Sequence, residues 1–367
     1  MAEFRLCVTG NRYDVYRVHR RFAGLEIVRP AMATACSNPR SQRRIALIGA
    51  PADVGGVDFG VRFGPAALRK AGLLEELCRR GCTVRDAGDL HPEGSAYQAG
   101  AGAGDRRLGG HARNAEQVAA WMRLLSATVH SVVRGGELPV VLGGDHSLSM
   151  GTVSGIAHHW AEAGREVFLL WIDAHADCNT PFTTPSGNMH GMALAALIGE
   201  GGFEPLLSDR RPPIVKPENT CILGLRAVDP GELPALRRNK VSSVGMQQID
   251  EFGIRLPLQR LLDRVASRAG MLHVSLDIDA LDPTLASGVG TPVPGGLNVA
   301  QANCVMAMLH QSGVVGSLDV TELNPRLDPD GNSARMAVGL VATMLGGEFV
   351  QSRGIAAKEA RDGRDAA

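Results

Sequence analysis

The strongest chemical signal in the chain is the run Asp173-Ala174-His175-Ala176-Asp177, which directly follows the apolar stretch Val167–Ile172. Three potential metal ligands occupy alternate positions where a buried strand is expected to run out into a loop. Side chains of an extended chain alternate faces, so positions i, i+2 and i+4 are expected to converge on one point. Packing gives no reason for two carboxylates and an imidazole at such a place, whereas a metal ion does. Three further polar clusters share the placement. Leu142 leads into Gly143-Gly144-Asp145-His146-Ser147, Leu276 into Asp277-Ile278-Asp279-Ala280-Leu281-Asp282-Pro283, and Leu318 into Asp319-Val320-Thr321-Glu322-Leu323-Asn324-Pro325.

Each cluster alone has a bland explanation, such as a turn, an N-cap or a capped strand exit. Together they do not, because uncompensated carboxylates behind buried strands are costly. The donor set is His146, Asp173, His175, Asp177, Asp277 and Asp279. Six side chains with four carboxylates exceed what one tetrahedral zinc takes, and they suit two divalent ions sharing bridging carboxylates. Oxygen and imidazole donors without thiolate favour Mn²⁺, with Co²⁺, Fe²⁺ or Ni²⁺ as substitutes. Cys178 is not counted as a ligand, because on strand alternation it points away from Asp177. A two-metal site lowers the pKa of a shared water and presents hydroxide near neutral pH, so the expected reaction class is hydrolysis.

These clusters need a scaffold. Short apolar runs at 45–49, 139–142, 167–172, 220–225, 273–278 and 314–320 read as buried strands. Helical stretches are expected at 65–80, with a proline in the first turn, and at 114–134, 149–163, 299–310 and 334–345. The alternation predicts βαβ units and a parallel sheet covered on both faces. In such sheets ligands gather at the carboxyl ends of the strands. Residues 1–44 are Arg-rich with little periodicity and are expected to form a poorly ordered extension. An in-frame start at Met32 and an Arg-rich transit peptide are the alternatives for this leader. Residues 93–112 read as a Gly-rich surface loop, and the charged stretch 348–367 as a frayed tail.

Composition restricts the function classes. The 367 residues are 44% hydrophobic and 21% charged, and Lys+Arg and Asp+Glu are both 38. That balance argues against wholesale binding of nucleic acid or an anionic membrane surface. No apolar run approaches the length of a membrane span. The seven scattered cysteines lack any CxxC pair and read as free thiols in a reducing cytoplasm.

GGDHS, DAHAD and DIDALDP, in this order, resemble the ureohydrolases, the arginase–agmatinase family, over nearly all of 45–347. The segment 179–191 (NTPFTTPSGNMHG) and the segment 224–232 (GLRAVDPGE) are similar to arginase signatures in particular. The resemblance implies a single three-layer α-β-α domain around a mostly parallel sheet of about eight strands. It implies a hydrolase acting on linear amidines, converting L-arginine and water to L-ornithine and urea, and a homo-oligomer, trimer or hexamer. By the same resemblance one manganese is held by His146, Asp173, Asp177 and Asp277, and the other by Asp173, His175, Asp277 and Asp279. Hydroxide then attacks the guanidinium carbon, Asp177 orients it and accepts its proton, Glu322 holds the guanidinium, and His190 protonates the departing amine. Asn179, Thr184 and Ser186 match positions facing the α-carboxylate. Asp229 matches the α-ammonium partner, and Asn188 and Glu232 match positions acting through water. Trp171 and Asp319 are expected behind the ligands, and residues 290–292 in the pocket wall. Ala227 departs from the pattern, where many arginases carry an acidic residue. The alternatives are an agmatinase or guanidinobutyrase, a non-catalytic protein on the same fold, and a single-zinc deacetylase.

Overall fold

The computed structural model describes residues 43–56, 60–92, 111–203 and 214–347, together with the backbone of three short strands nearer the N-terminus. Those three are β1 (Phe4–Thr9), β2 (Arg12–Arg17) and β3 (Ala35–Cys36). Most of the glycine-rich stretch 93–112 and the tail 348–367 lie outside the described residues. The main sheet comprises β3, β4 (Arg44–Ala50), β5 (Thr83–Asp89), β6 (Leu138–Gly143), β7 (Val167–Ile172), β8 (Thr220–Leu225), β9 (Ser242–Gly245), β10 (Met271–Asp277) and β11 (Val315–Thr321). Eight of these run parallel, and the two-residue β3 adds an antiparallel edge to β5.

The central strands are solid apolar runs because both faces of the sheet are covered. Along β4, Ile45 and Leu47 enter the core layer on one face, and Ala46 and Ile48 enter the other. Along β7, Phe168, Leu170 and Ile172 face one layer, and Val167, Leu169 and Trp171 the other. This two-residue period fixes which side of the sheet each residue reaches.

The strand order is β3-β5-β4-β6-β11-β10-β7-β8-β9. Strands β6 and β7 are consecutive in sequence but do not pair. The chain moves outward through β8 and β9 and then returns, placing β10 and β11 in the gap between them. The four strands whose exits carry the polar clusters are therefore the four central neighbours β6, β11, β10 and β7. This reversal of order is where open α/β sheets place their ligands.

Some elements differ from expectation. The helix foreseen over 65–80 is two helices, Gly64–Lys70 and Leu73–Arg79, because Gly72 adopts a left-handed φ of 88° between them. Ile278 is not the last residue of a strand but opens the 3-10 turn Ile278–Ala280. β5 and β9, which pair near the sheet edges, are too polar or too short to stand out in the sequence. The helix Arg255–Ser267, not among the expected helices, buries Leu258, Leu261, Leu262 and Val265 on one stripe.

Candidate metal centre

The exit of β6 explains its two glycines. A Cβ at Gly143 would come 2.6 Å from the Val320 carbonyl oxygen, and one at Gly144 would overlap the Ala52 carbonyl. The chain passes through this narrow place and is then tied down by Asp145. Its carboxylate accepts the backbone N–H of Ser147 at 3.0 Å and of Gly55 at 2.9 Å. His146 thereby faces the centre of the sheet end, fully enclosed.

The expectation that Asp173, His175 and Asp177 converge by strand alternation is overturned. β7 ends at Ile172, the chain bends at Ala174 and His175, and Asp177 has a left-handed φ of 47°. Continued extension would set alternate side chains roughly 6–7 Å apart in a row. The bend instead brings Asp173 and Asp177 together on one cluster and turns His175 to another. A non-glycine residue in this region costs roughly 1–3 kcal/mol, which surrounding contacts must offset. Here the Asp177 carbonyl accepts the N–H groups of Leu194 and Ala195.

All six predicted donors assemble in two clusters. His146 Nδ1 lies 3.2 Å from Asp173 Oδ2, 3.1 Å from Asp177 Oδ2 and 3.1 Å from Asp277 Oδ2. His175 Nδ1 lies 3.0 Å from Asp279 Oδ2 and 3.5 Å from Asp173 Oδ1. Asp173 thus offers one oxygen to each cluster, which suits it to be shared between two cations. Asp277 joins the His146 cluster through Oδ2, while its Oδ1 accepts the Asp279 N–H at 2.7 Å. Cys178 is buried, its thiol pushed up by burial and by Glu232, and it joins neither cluster.

The donors fit a pair of divalent cations. His146 Nδ1 is buried without a hydrogen-bond partner, although three carboxylate oxygens surround it. Donors at right angles around an ion with bonds of about 2.1 Å stand about 3.0 Å apart, close to the separations found here. Asp173, Asp177, Asp277 and Asp279 bring four negative charges into one buried volume, and two divalent cations balance them. Without cations, protons would have to take up part of that charge. Burial and the neighbouring Asp279 and Asp173 raise Asp277 well above the usual carboxylate range, and burial together with Asp173 pushes Asp177 up to about 6. Burial works against charge on His175, but Asp173 and Asp279 outweigh it and push the imidazole up to about 12.

A second layer holds the ligands. Ser275 donates its one proton to Asp319 Oδ1 at 2.6 Å, so its oxygen accepts from His146 Nε2 at 2.8 Å. That arrangement leaves the His146 Nδ1 lone pair free for a cation. Asp319 also faces His273 Nε2 at 3.2 Å, and His273 Nδ1 meets Ser317 at 2.8 Å. Trp171 stacks on His146 with ring centroids 4.0 Å apart and donates its indole N–H to Asp173 Oδ2 at 2.9 Å. Thr291 donates to Asp279 Oδ2 at 3.1 Å. Arg226 is not among the expected site residues. Its guanidinium donates to the carbonyls of Asp279, Val293 and Leu281, pinning together the loops around the second cluster. A charged residue directly after the buried strand β8 was the available signal.

The clusters form the floor of a cleft of about 530 Å³. Asn179, Thr184, Ser186, Asn188, His190, Asp229, Glu232 and Glu322 all line it, as does Ala227. Glu322 has a φ of 62°, and its Oε1 accepts the His146 N–H at 2.7 Å and faces His190 Nδ1 at 3.1 Å. Burial opposes charge on His190, but Glu322 outweighs it and raises the imidazole to about 9. Asn179 Nδ2 donates to Asp229 Oδ2 at 2.9 Å. Glu232 spends both oxygens on the backbone N–H groups of Cys178 and Asp229, so it braces the rim from behind. Burial raises it to about 7. Thr184 accepts the Gly187 N–H, and Ser186 accepts the Asn188 N–H, shaping the loop.

A doubly wound parallel sheet with a carboxylate- and imidazole-rich floor at its switch point defines a protein of the binuclear metallohydrolase class. The Arginase family profile matches residues 43–346, and the chain belongs to that family. It is 43% identical over 303 residues to an arginase of Agrobacterium fabrum, covering 82% of this chain and 90% of that protein. It is equally 43% identical to an arginase of Brucella melitensis, covering 82% and 95%. The native structure of the arginase from Bacillus caldovelox at pH 5.6 superposes with a TM-score of 0.77 at 36% identity, covering 84% of this chain and 100% of that one.

Proposed function

We propose that this chain is an arginase that hydrolyses L-arginine to L-ornithine and urea with two Mn²⁺ ions per subunit. The observation that carries this reading is the pair of donor clusters sharing Asp173 at the floor of a cleft whose rim carries Asn179, Ser186 and Asp229. His146, Asp173, Asp177 and Asp277 would hold one ion, and Asp173, His175, Asp277 and Asp279 the other. Such a pair acidifies water and so supplies hydroxide near neutral pH.

The protein's own residues handle the rest. Glu322 anchors the guanidinium by charge-assisted hydrogen bonds, its single negative charge matching the single positive charge of the substrate. Asp177 accepts a proton from the attacking water. His190 stands beside Glu322 and is raised to about 9, so it holds a proton at neutral pH and can give it to the departing amine. Asn179, Thr184 and Ser186 donate to the α-carboxylate. Asp229 accepts from the α-ammonium, with Glu232 bracing its backbone, and Asn188 completes the polar rim. Agmatine lacks the α-carboxylate, so the rim favours arginine.

No described helix is long and apolar enough to cross a membrane. We take 45–347 as the catalytic unit of a cytoplasmic homo-oligomer, trimer or hexamer, with 1–44 and 348–367 as appendages. The deciding measurement is urea release from L-arginine and from agmatine, with and without Mn²⁺. Manganese-dependent release with arginine strongly preferred is expected; equal or better turnover of agmatine would overturn the arginine assignment.

A further inference from the structure

Far from the cleft, a second kind of donor cluster spans two packed helices. His130 belongs to the helix Ala115–Arg134, and His158 and Glu162 belong to the helix Ser149–Glu162. His158 and Glu162 are four residues apart and share one helical face. His130 Nε2 lies 3.3 Å from Glu162 Oε2, and His158 Nε2 lies 3.4 Å from Glu162 Oε1. The two imidazoles are stacked, with centroids 4.5 Å apart and planes inclined by 21°. Two rings held this way direct the same nitrogen toward one carboxylate, and the three donor atoms all lie within 4.8 Å of one another. The cluster is absent from the function proposed above.

We propose that His130, His158 and Glu162 form a third cation site, distinct from the catalytic pair, that takes a Zn²⁺-type borderline transition metal and clips these two helices together. The donor chemistry differs from that of the cleft. Two imidazoles and one carboxylate make a three-ligand set of the kind that binds zinc with water in the fourth position. Oxygen-loving Mg²⁺ and Ca²⁺ are poorly served by it. The spacing agrees. A tetrahedral ion with bonds of about 2.05 Å separates its donors by about 3.3–3.4 Å, and each ring nitrogen stands at that distance from one oxygen of the carboxylate, His130 from Oε2 and His158 from Oε1. Four of the five cleft contacts are tighter, at 3.0–3.2 Å, and the fifth, His175 to Asp173, is 3.5 Å.

The position adds to this. Both helices follow the same direction against the parallel sheet, so the cluster gathers near their C-terminal ends, where exposed carbonyls favour positive charge. Arg134, one turn beyond His130, supplies an opposing positive charge near Glu162. His159 lies edge-on to His130 at 6.0 Å, and its Nδ1 is buried without a hydrogen-bond partner. The helix Ser149–Glu162 carries His146 just before its first turn and Glu162 in its last, about 24 Å further along at 1.5 Å per residue. A clip there holds the far end of the element that positions a cleft ligand, without touching the cleft.

The test uses the full-length manganese-loaded protein titrated with ZnCl₂. Zinc and manganese are counted by elemental analysis after desalting, and thermal melting is followed in parallel. The expected result is one zinc per chain with manganese retained, and a melting temperature that rises with zinc. The variants His130→Ala and Glu162→Gln should lose that zinc and that rise, while keeping their manganese and their zinc-free melting temperature. The proposal is overturned if the variants bind as much zinc as the parent, or if the parent takes up zinc only as manganese leaves.

Discussion

Replacing Trp171 by Phe isolates one strut of the metal centre. The indole N–H donates to Asp173 Oδ2 at 2.9 Å, and the ring is stacked on His146 at 4.0 Å. Phe keeps an aromatic face against His146 but cannot donate to Asp173. Asp173 is the residue whose two oxygens address both clusters, so its orientation matters more than that of any other ligand. A hydrogen bond to a charged group contributes roughly 1.5–3 kcal/mol. At about 1.4 kcal/mol per tenfold, that corresponds to roughly 10- to 150-fold if the whole loss appears in metal binding. Part of it appears instead as lower stability of the metal-free protein, so about tenfold weaker Mn²⁺ binding is expected, within the range found when partners behind metal ligands are removed. The assay is equilibrium dialysis of metal-free protein against Mn²⁺, well below the melting temperature, with near-ultraviolet circular dichroism to verify the fold. A dissociation constant within threefold of the parent would show that Asp173 is held by its backbone setting alone, and the strut reading would fail.

Other perturbations separate the remaining roles. Ser186→Ala should lower kcat/KM for arginine by about tenfold, through loss of one donor to a charged carboxylate, and leave agmatine turnover within twofold; parallel urea assays on the two substrates check this. His190→Gln should lower kcat more than it raises KM. The parent should also lose activity as pH rises through about 9, where His190 gives up its proton, and the variant should lack that limb in a pH–rate profile. The stability linkage has the matching sign: the folded His190 binds its proton more tightly than the unfolded one, so its contribution is complete below about 6.5 and lost as pH rises through about 9. Gly144→Ala forces a Cβ into the Ala52 carbonyl and should destabilise the fold by about 1–3 kcal/mol in denaturant titration. Unchanged stability with full manganese binding would mean the β6 exit is more pliant than its packing indicates.

The fold and the site were unequally legible in the chain. The central strands were readable because a strand covered on both faces must be apolar throughout, and 167–172 is the plainest case. Thr83–Asp89 was not, because only Val84 is fully buried and the rest of the strand admits Arg85, Asp86 and Asp89. Ser242–Gly245 is a four-residue edge strand with too few side chains to show a period. The amphipathic stripe of Arg255–Ser267 is present in the sequence at helical spacing. Arg226 escaped because its partners are carbonyls of loops that sequence spacing does not connect.

By itself, the sequence determined which side chains could bind metal and that each would stand just beyond a buried strand. Donor chemistry is a property of residue type, and strand exits are marked by the change from apolar to polar. Only the tertiary structure decided that β10 and β11 return between β6 and β7, so that His146, Asp173, Asp277 and Glu322 become neighbours across four adjacent strands. It alone placed Asp177 by a left-handed bend and not by strand alternation. Both outcomes rest on long-range packing, in which enclosure of the whole sheet offsets local backbone cost and chooses among chain paths that local pattern leaves equivalent.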